Sequence, residues 1–384
     1  MKNIVSLENP PSATKVLQQL LVMILITLGC GLLLSVLGGV AAIFMAGVKA
    51  EDLTAVDFAK APARVIYAME IIQVFSVLGL FIAPALIVPA FVFKTEPLRF
   101  LSLRKNSSLI IFLIAILAYA CFSPFLEYSI ALNLKMKLPN FLSGVEQWMK
   151  ATEEANGVAI KRFLEMKNPS ELIGGLLMIA LLPAIAEELF FRGLLQRSLF
   201  QWTHRTHLSV FVTAFVFSAI HLQFYGFLPR FLLGLFLGYL LAWSGNIKLS
   251  MLAHFLNNAI AVVATYLYQN GDISASPDSP INYPQYLYFI SPLAGGFMMY
   301  LFYKFNHHKT SQQETIIKTE EGNWVKVYSA AQRYQAEMVS GQLKAEGINS
   351  VVVDRKDSAY HFGEVEVFVS HEDAEKANAV LGIN

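Results

Sequence analysis

The feature that most constrains this chain is a succession of apolar runs, each close to twenty residues long and nearly free of charge. A hydrocarbon core about 30 Å thick is crossed by about 20 apolar residues in a helix. Runs near Leu20 to Met45, Ile71 to Phe93, Leu109 to Leu126, Leu172 to Phe191, Leu208 to Tyr225, Leu228 to Trp243, Leu249 to Tyr268 and Tyr286 to Tyr303 therefore read as about eight membrane spans. The first is too long for the apolar core of a cleaved signal peptide and reads as a retained helix. Composition agrees, since only 15% of residues are charged and 55% are hydrophobic, against roughly a quarter charged in soluble domains. Lys and Arg number 29 against 28 Asp and Glu, which leaves no basic field for nucleic acid. Cys30 and Cys121 both sit in apolar runs, so neither a disulfide framework nor a CxxC metal site exists.

Short loops rich in Lys and Arg stay on the cytoplasmic side. Lys94, Arg99, Arg104 and Lys105 follow the second run, Arg192, Arg197 and Arg205 the fourth, and Lys304 and Lys309 the last. This bias predicts that both termini lie in the cytoplasm. Residues 135 to 170 fall outside in that scheme although they carry six Lys or Arg. The pattern of Phe141, Val145, Trp148 and Met149 predicts an interfacial amphipathic helix there. The chain thus divides into spans and amphipathic loop over 1–170, a site-bearing core with the last span over 171–309, a polar linker over 310–323, and a small domain over 324–384.

In that last domain the periods are those of a soluble fold. WVKVYS reads as a strand, Ala331 to Glu346 as a helix stopped by Gly347, and INSVVVD and EVEVFVS as strands. Ser370 with Asp373 resembles a capping box opening a final helix. The fold class is therefore an all-α membrane bundle followed by a small α+β unit of order βαββα, ferredoxin-like in type. With six Lys or Arg against nine Asp or Glu, this domain has no nucleic-acid footprint either.

Ionisable groups inside spans are costly and by default mark function. They cluster in PAIAEELFFRG, FSAIHLQ and AHFLNN: Glu187, Glu188, Arg192, His221, His254 and Asn258. Glu188 and Arg192, four residues apart, can pair along one helix. Glu187 is rotated by about 100° and is left to face elsewhere. His254 and Asn258 share a face. A free carboxylate, two imidazoles and a carboxamide form a kit for hydrolysis. The carboxylate serves as general base for water, His221 shares or relays the proton, and His254 and Asn258 donate to an oxyanion. Glu187, His221 and His254 could instead hold a divalent metal such as zinc. Their apparent depths conflict, because His221 lies near the outer end of its run whereas Glu187 and His254 lie near inner ends.

EELFFR (187–192) resembles the EExxxR motif of the CAAX-protease and bacteriocin-processing family of intramembrane peptidases, FSAIH (217–221) its FxxxH, and HFLNN (254–258) its HxxxN. The resemblance implies a helical membrane enzyme that cleaves peptide bonds near the membrane surface. It implies that Glu187 and His221 activate water, His254 and Asn258 stabilise the oxyanion, and Glu188 and Arg192 support the first helix. A cofactor-free glutamate mechanism is favoured over a metal, since no HExxH ligand pair occurs. Residues 324–382 are similar to a family of small prokaryotic signal-transducing proteins, which implies a cytoplasmic partner for the tail. A prenylated CAAX tail, a bacteriocin leader or a membrane anchor all suit as substrate. The alternatives are a non-catalytic membrane adaptor or immunity protein and, less favoured for want of an inverted repeat of EELFFR, a transporter.

Overall fold

The computed structural model describes residues 11–276, 283–319, 324–330, 333–354 and 365–382, with side chains as far as 306 in the helix that reaches 319. These residues form two compact units, Ser12–Leu241 with Asn246–Met299, and Tyr300–Asn384 with Ala242–Gly245.

The first unit is helical. Its helices are α1 (Ala13–Ala46), α2 (Ala63–Phe91), α3 (Leu109–Lys135), α4 (Ser143–Phe163), α5 (Pro169–Thr203), α6 (Thr206–Ala219), α7 (Phe227–Ser244, whose last residues belong to the other unit) and α8 (Ile247–Gln269). Six of them, all but α4 and α6, are long and apolar enough to cross a membrane, and the protein is an integral membrane protein. The expectation of about eight becomes these six, together with the 14-residue α6 and the apolar start of α9 (Gln285–Thr319). The polar stretch after Lys309 is helical as far as Thr319, and 320–323 lie outside the described residues.

Ends are set by local chemistry. The Ser12 hydroxyl caps α1 by accepting from Lys15 N at 3.3 Å, and Gly47 at φ 62° stops it. Asn168 caps α5, its side chain accepting from Glu171 N at 3.1 Å, with Pro169 in the first helical position. Leucines 25, 28 and 32 of α1 are largely exposed, as lipid-facing residues are. The other face of α1 meets α2 along small residues: Ser35 and Ser76 share a hydrogen bond of 2.9 Å, and a Cβ on Gly79 would lie 2.6 Å from the Cys30 carbonyl oxygen. Close backbone approach of this kind is how membrane helices associate. Gly79→Ala is therefore expected to force α1 and α2 apart at a cost of about 1–3 kcal/mol, seen as a lowered melting temperature of the detergent-solubilised protein. An unchanged melting temperature would show that the seam yields freely.

Two sets of contacts define the two faces of this unit. On one, Trp202 Nε1 donates to Gln19 Oε1 at 2.8 Å, Arg197 donates to Phe100 O and Ser102 Oγ, and Lys248 Nζ donates to Asn106 at 3.2 Å. On the opposite face Arg162 donates to Ala61 O at 2.8 Å and Met166 N to Gln269 at 2.9 Å. Arg192 and Arg197, read from sequence as loop charges, lie instead within α5 and are buried; the charge bias then rests on Lys94, Arg99, Arg104, Lys105 and Arg205, with Lys304 and Lys309 after the last run. Helix α4 buries no residue, and Phe141, Val145 and Trp148 stand exposed along and before it, as an interfacial helix requires.

In the second unit, β1 (Trp324–Ala330), α10 (Arg333–Ala345), β2 (Ser350–Asp354), β3 (Val365–Ser370) and α11 (Ala374–Leu381) follow the βαββα order. Strand β3 lies between β1 and β2 and is antiparallel to both. β1 and β2 are thus parallel to each other, a split βαβ arrangement. Val365, Val367 and Val369 of β3 are fully buried with Ala336 and Leu343 of α10 and Ala377 of α11. Ser370 Oγ accepts from Asp373 N at 3.2 Å, the capping contact expected from sequence.

Candidate active site

Helix α5 carries the first group of polar residues. Its middle segment, Leu182–Glu188, is flanked by wide π-helical turns at Leu176–Leu181 and Leu189–Gln196, a geometry common at functional sites. Arg192 Nη1 donates to Glu188 Oε1 at 2.7 Å, and both side chains are completely buried. Arg192 Nη2 donates to the carbonyl of Gly234 at 3.2 Å, and one turn along Gln196 donates to the carbonyl of Gly238 at 3.1 Å. The GxxxG pair of α7 serves packing within the bundle, since Gly234 lies against Ala214 and Gly238 against Val210. At Gly238 a Cβ would also crowd the Gln196 side chain, at 3.0 Å from Oε1, so glycine there admits that side chain from α5.

The same Glu188 Oε1 accepts from His254 Nδ1 at 2.9 Å. A carboxylate can only accept, so the Nδ1 proton is committed to it and the ring is turned with Nε2 toward Glu187. His254 Nε2 lies 3.9 Å from Glu187 Oε2, beyond a direct hydrogen bond. One imidazole thus stands between two successive carboxylates, the first half-buried and the second sealed.

Phe217 and His221 come from α6 and the turn that follows it. The Phe217 ring, 2% exposed, lies under the Arg192 guanidinium at 4.4 Å and meets His254 and His221 edge to face at 5.9 and 5.3 Å. It is a packing hub, as its residue type suggested. His221 Nδ1 lies 2.7 Å from Phe217 O; since a carbonyl accepts, Nδ1 carries the proton and Nε2 of the neutral ring is the available base. Fourteen residues give α6 a length of about 21 Å, short of a full crossing. The Phe217 ring nevertheless meets both His221 and His254, so the two imidazoles lie near each other despite their apparent depths in the sequence. Leu222, at φ 52°, then reverses the chain into α7.

Asn258 donates to Ile179 O of α5 at 3.5 Å and accepts from Asn257 Nδ2 at 3.1 Å; Asn257 Oδ1 in turn accepts from the Tyr119 hydroxyl of α3 at 3.1 Å. The chain Tyr119, Asn257, Asn258 aligns the terminal carboxamide. Tyr119→Phe is expected to cost about 1 kcal/mol and to lower turnover more than stability; equal activity in both proteins would remove any role for the chain.

The structure thus brings Glu187, Glu188, Arg192 and His254 together directly, joins His221 to them through Phe217, and places Asn258 one helical turn beyond His254 without a hydrogen bond to it. Among the described residues no three His, Cys, Asp or Glu side chains are arranged to hold a metal ion. Glu188 engages His254 Nδ1, which leaves Nε2, on the side of Glu187, as the ring nitrogen a metal would bind. Two groups escaped the sequence reading: the Tyr119–Asn257 pair, and Arg230 of α7, whose charge acts on Glu187 and His221. A lone arginine in FLPRFLLG carried the signal.

The family model described as type II CAAX prenyl endopeptidase Rce1-like matches residues 169–260, which contain EELFFR, FSAIH and HFLNN. The model described as "Putative prokaryotic signal transducing protein" matches residues 324–382. A Bacillus subtilis (strain 168) protein named "Uncharacterized protein YpbD" is 30% identical over 89 residues, covering 22% of this chain. The chain spans only 42% of that relative's length. No solved structure matches. The first of these matches supports an intramembrane endopeptidase in general terms, and with it a peptide substrate at the membrane.

Proposed function

We propose that the protein hydrolyses peptide bonds of membrane-associated substrates with water activated by Glu187 and His221. The observation that carries this reading is the double engagement of His254: Nδ1 is fixed by the buried Glu188–Arg192 pair, so Nε2 is aimed at the carboxylate of Glu187. Glu187 takes a proton from water as its oxygen attacks the carbonyl carbon, with His221 Nε2 accepting a second hydrogen bond from that water. The oxyanion lies toward the Asn258 carboxamide and toward His254, whose ring in this step carries both protons, Nδ1–H on Glu188 and Nε2–H on the oxyanion. As the intermediate collapses the C–N bond breaks, and the proton on Glu187 passes to the departing amine. Each step uses groups already on facing helices, with no serine or cysteine nucleophile and no metal.

The test is a map of new peptide ends in membranes that contain the wild-type protein or Glu187→Gln. Ends present only with the wild type identify substrates, and identical maps overturn the reading. Loss of cleavage in the presence of a strong chelator would favour the zinc alternative. The second unit is proposed to bind a cytoplasmic partner, both termini being on that side of a prokaryotic inner membrane.

A further inference from the structure

Arg230 is a charged residue with unfinished hydrogen bonding. It stands in the first turn of α7, in an apolar segment where an arginine is costly unless it is used. Its Nη2 donates to Gln223 Oε1 at 2.6 Å. The guanidinium lies flat over Gly226, where a Cβ would approach Nη2 to 3.1 Å and Nη1 to 3.4 Å. Glycine therefore leaves room for the plane of the group. Nη1 is buried and has no hydrogen-bond partner among the described residues.

The turn that holds Gln223 and Gly226 is itself braced. Asn133 of α3 donates to Phe224 O at 2.9 Å and accepts from Leu228 N at 2.7 Å, and Glu153 of α4 accepts from Tyr225 N at 3.2 Å. Arg230 is thus held in place with one nitrogen uncommitted. Glu187 and Glu153 are the carboxylates whose charges it feels, and its own charge acts on His221, yet among the described residues neither carboxylate comes within ion-pair distance. A buried guanidinium nitrogen left unpaired costs what a bound carboxylate would return.

We propose that Arg230 Nη1 receives a carboxylate of the bound substrate, so that the site selects peptides with a negative group close to the bond presented to Glu187. The inference deepens the peptidase reading and rests on it for the identity of the ligand as a peptide. The carboxylate could belong to a free C-terminus or to an acidic side chain, and the chemistry at Nη1 is the same.

The experiment uses the full-length protein in nanodiscs and three pools of N-acetylated random apolar hexapeptides: C-terminal acids, C-terminal amides, and amides containing one Asp. Binding is measured by thermophoresis. The wild type is expected to bind at least one carboxylate pool about tenfold more tightly than the neutral amides, the size of effect given by one buried hydrogen bond to a charged group. Which pool gains identifies the source. Arg230→Gln should abolish the difference while binding the neutral amides as the wild type does, and Arg230→Lys should keep part of it, having the charge without the planar fork. Equal binding of all pools by the wild type, or a preference that survives Arg230→Gln, overturns the proposal. So does a loss in Arg230→Gln that is equal for acids and amides, which would mean that Arg230 acts through Glu187 or the fold. Glu187→Gln separates the two readings. If it still hydrolyses peptides the peptidase mechanism fails whatever the pools do, and if it is inert while the pools bind alike only the role of Arg230 fails.

Discussion

Glu187→Gln is expected to eliminate cleavage, by about a thousandfold or more, in a protein that still inserts and melts like the wild type. The substitution keeps the volume and one acceptor oxygen and removes the basic carboxylate facing His254 on which the proposed reaction depends. Among the described residues the Glu187 side chain makes no hydrogen bond and approaches His254 Nε2 only to 3.9 Å, so little stability is tied to it. His221→Gln should fall less far, because it removes assistance to the water and leaves the base. Activity of Glu187→Gln at the wild-type level, measured as the appearance of new peptide ends in membranes, would sink the glutamate mechanism.

The largest expected loss of stability belongs to the neighbouring residue pair. Arg192→Met leaves Glu188 charged, sealed from solvent and attached only to His254, and breaking a buried pair from one side costs about 3–5 kcal/mol. The double substitution Glu188→Met with Arg192→Met removes both charges and should regain much of that stability, since apolar replacements of buried pairs are often near neutral. It should regain no activity. Without Glu188 nothing holds His254 Nδ1, and the ring is free to turn away from Glu187. Thermal melting and cleavage assays on the same three proteins separate these effects. If the double substitution were active, the orienting role of Glu188 would be wrong; if Arg192→Met melted normally, the pair would contribute less than its burial implies.

Much of this site was legible in residue spacing. Glu188 and Arg192, four apart, pair as their separation on one helix requires, and the roughly 100° between Glu187 and Glu188 sends the first carboxylate to a different neighbour. What spacing could not give was the second duty of Glu188. The contact with His254 joins residues 66 positions apart, and its distance depends on how α5 and α8 cross. The length of α6 was misread for a local reason. Ile220, Leu222 and Phe224 continue the apolar run past Ala219, and only the reversal at Leu222 ends the helix. Arg230 was visible to the same rule that found the other charges, but it carried no partner at helical spacing and passed as part of a span. In the tail, alternation of Val365, Val367 and Val369 was enough to mark the buried face of β3, whereas the strand order came only from the pairing itself.

The placement of His254 has a consequence for selection. It stands seven residues into α8, roughly 10 Å along the axis from the face that gathers Lys94, Arg99, Arg104 and Lys105 and roughly twice as far from the other. On the proposed reading the protein acts as a ruler: the bond that breaks is the one whose height above the lipid headgroups matches, so a target extended by a residue would be cut one residue further along.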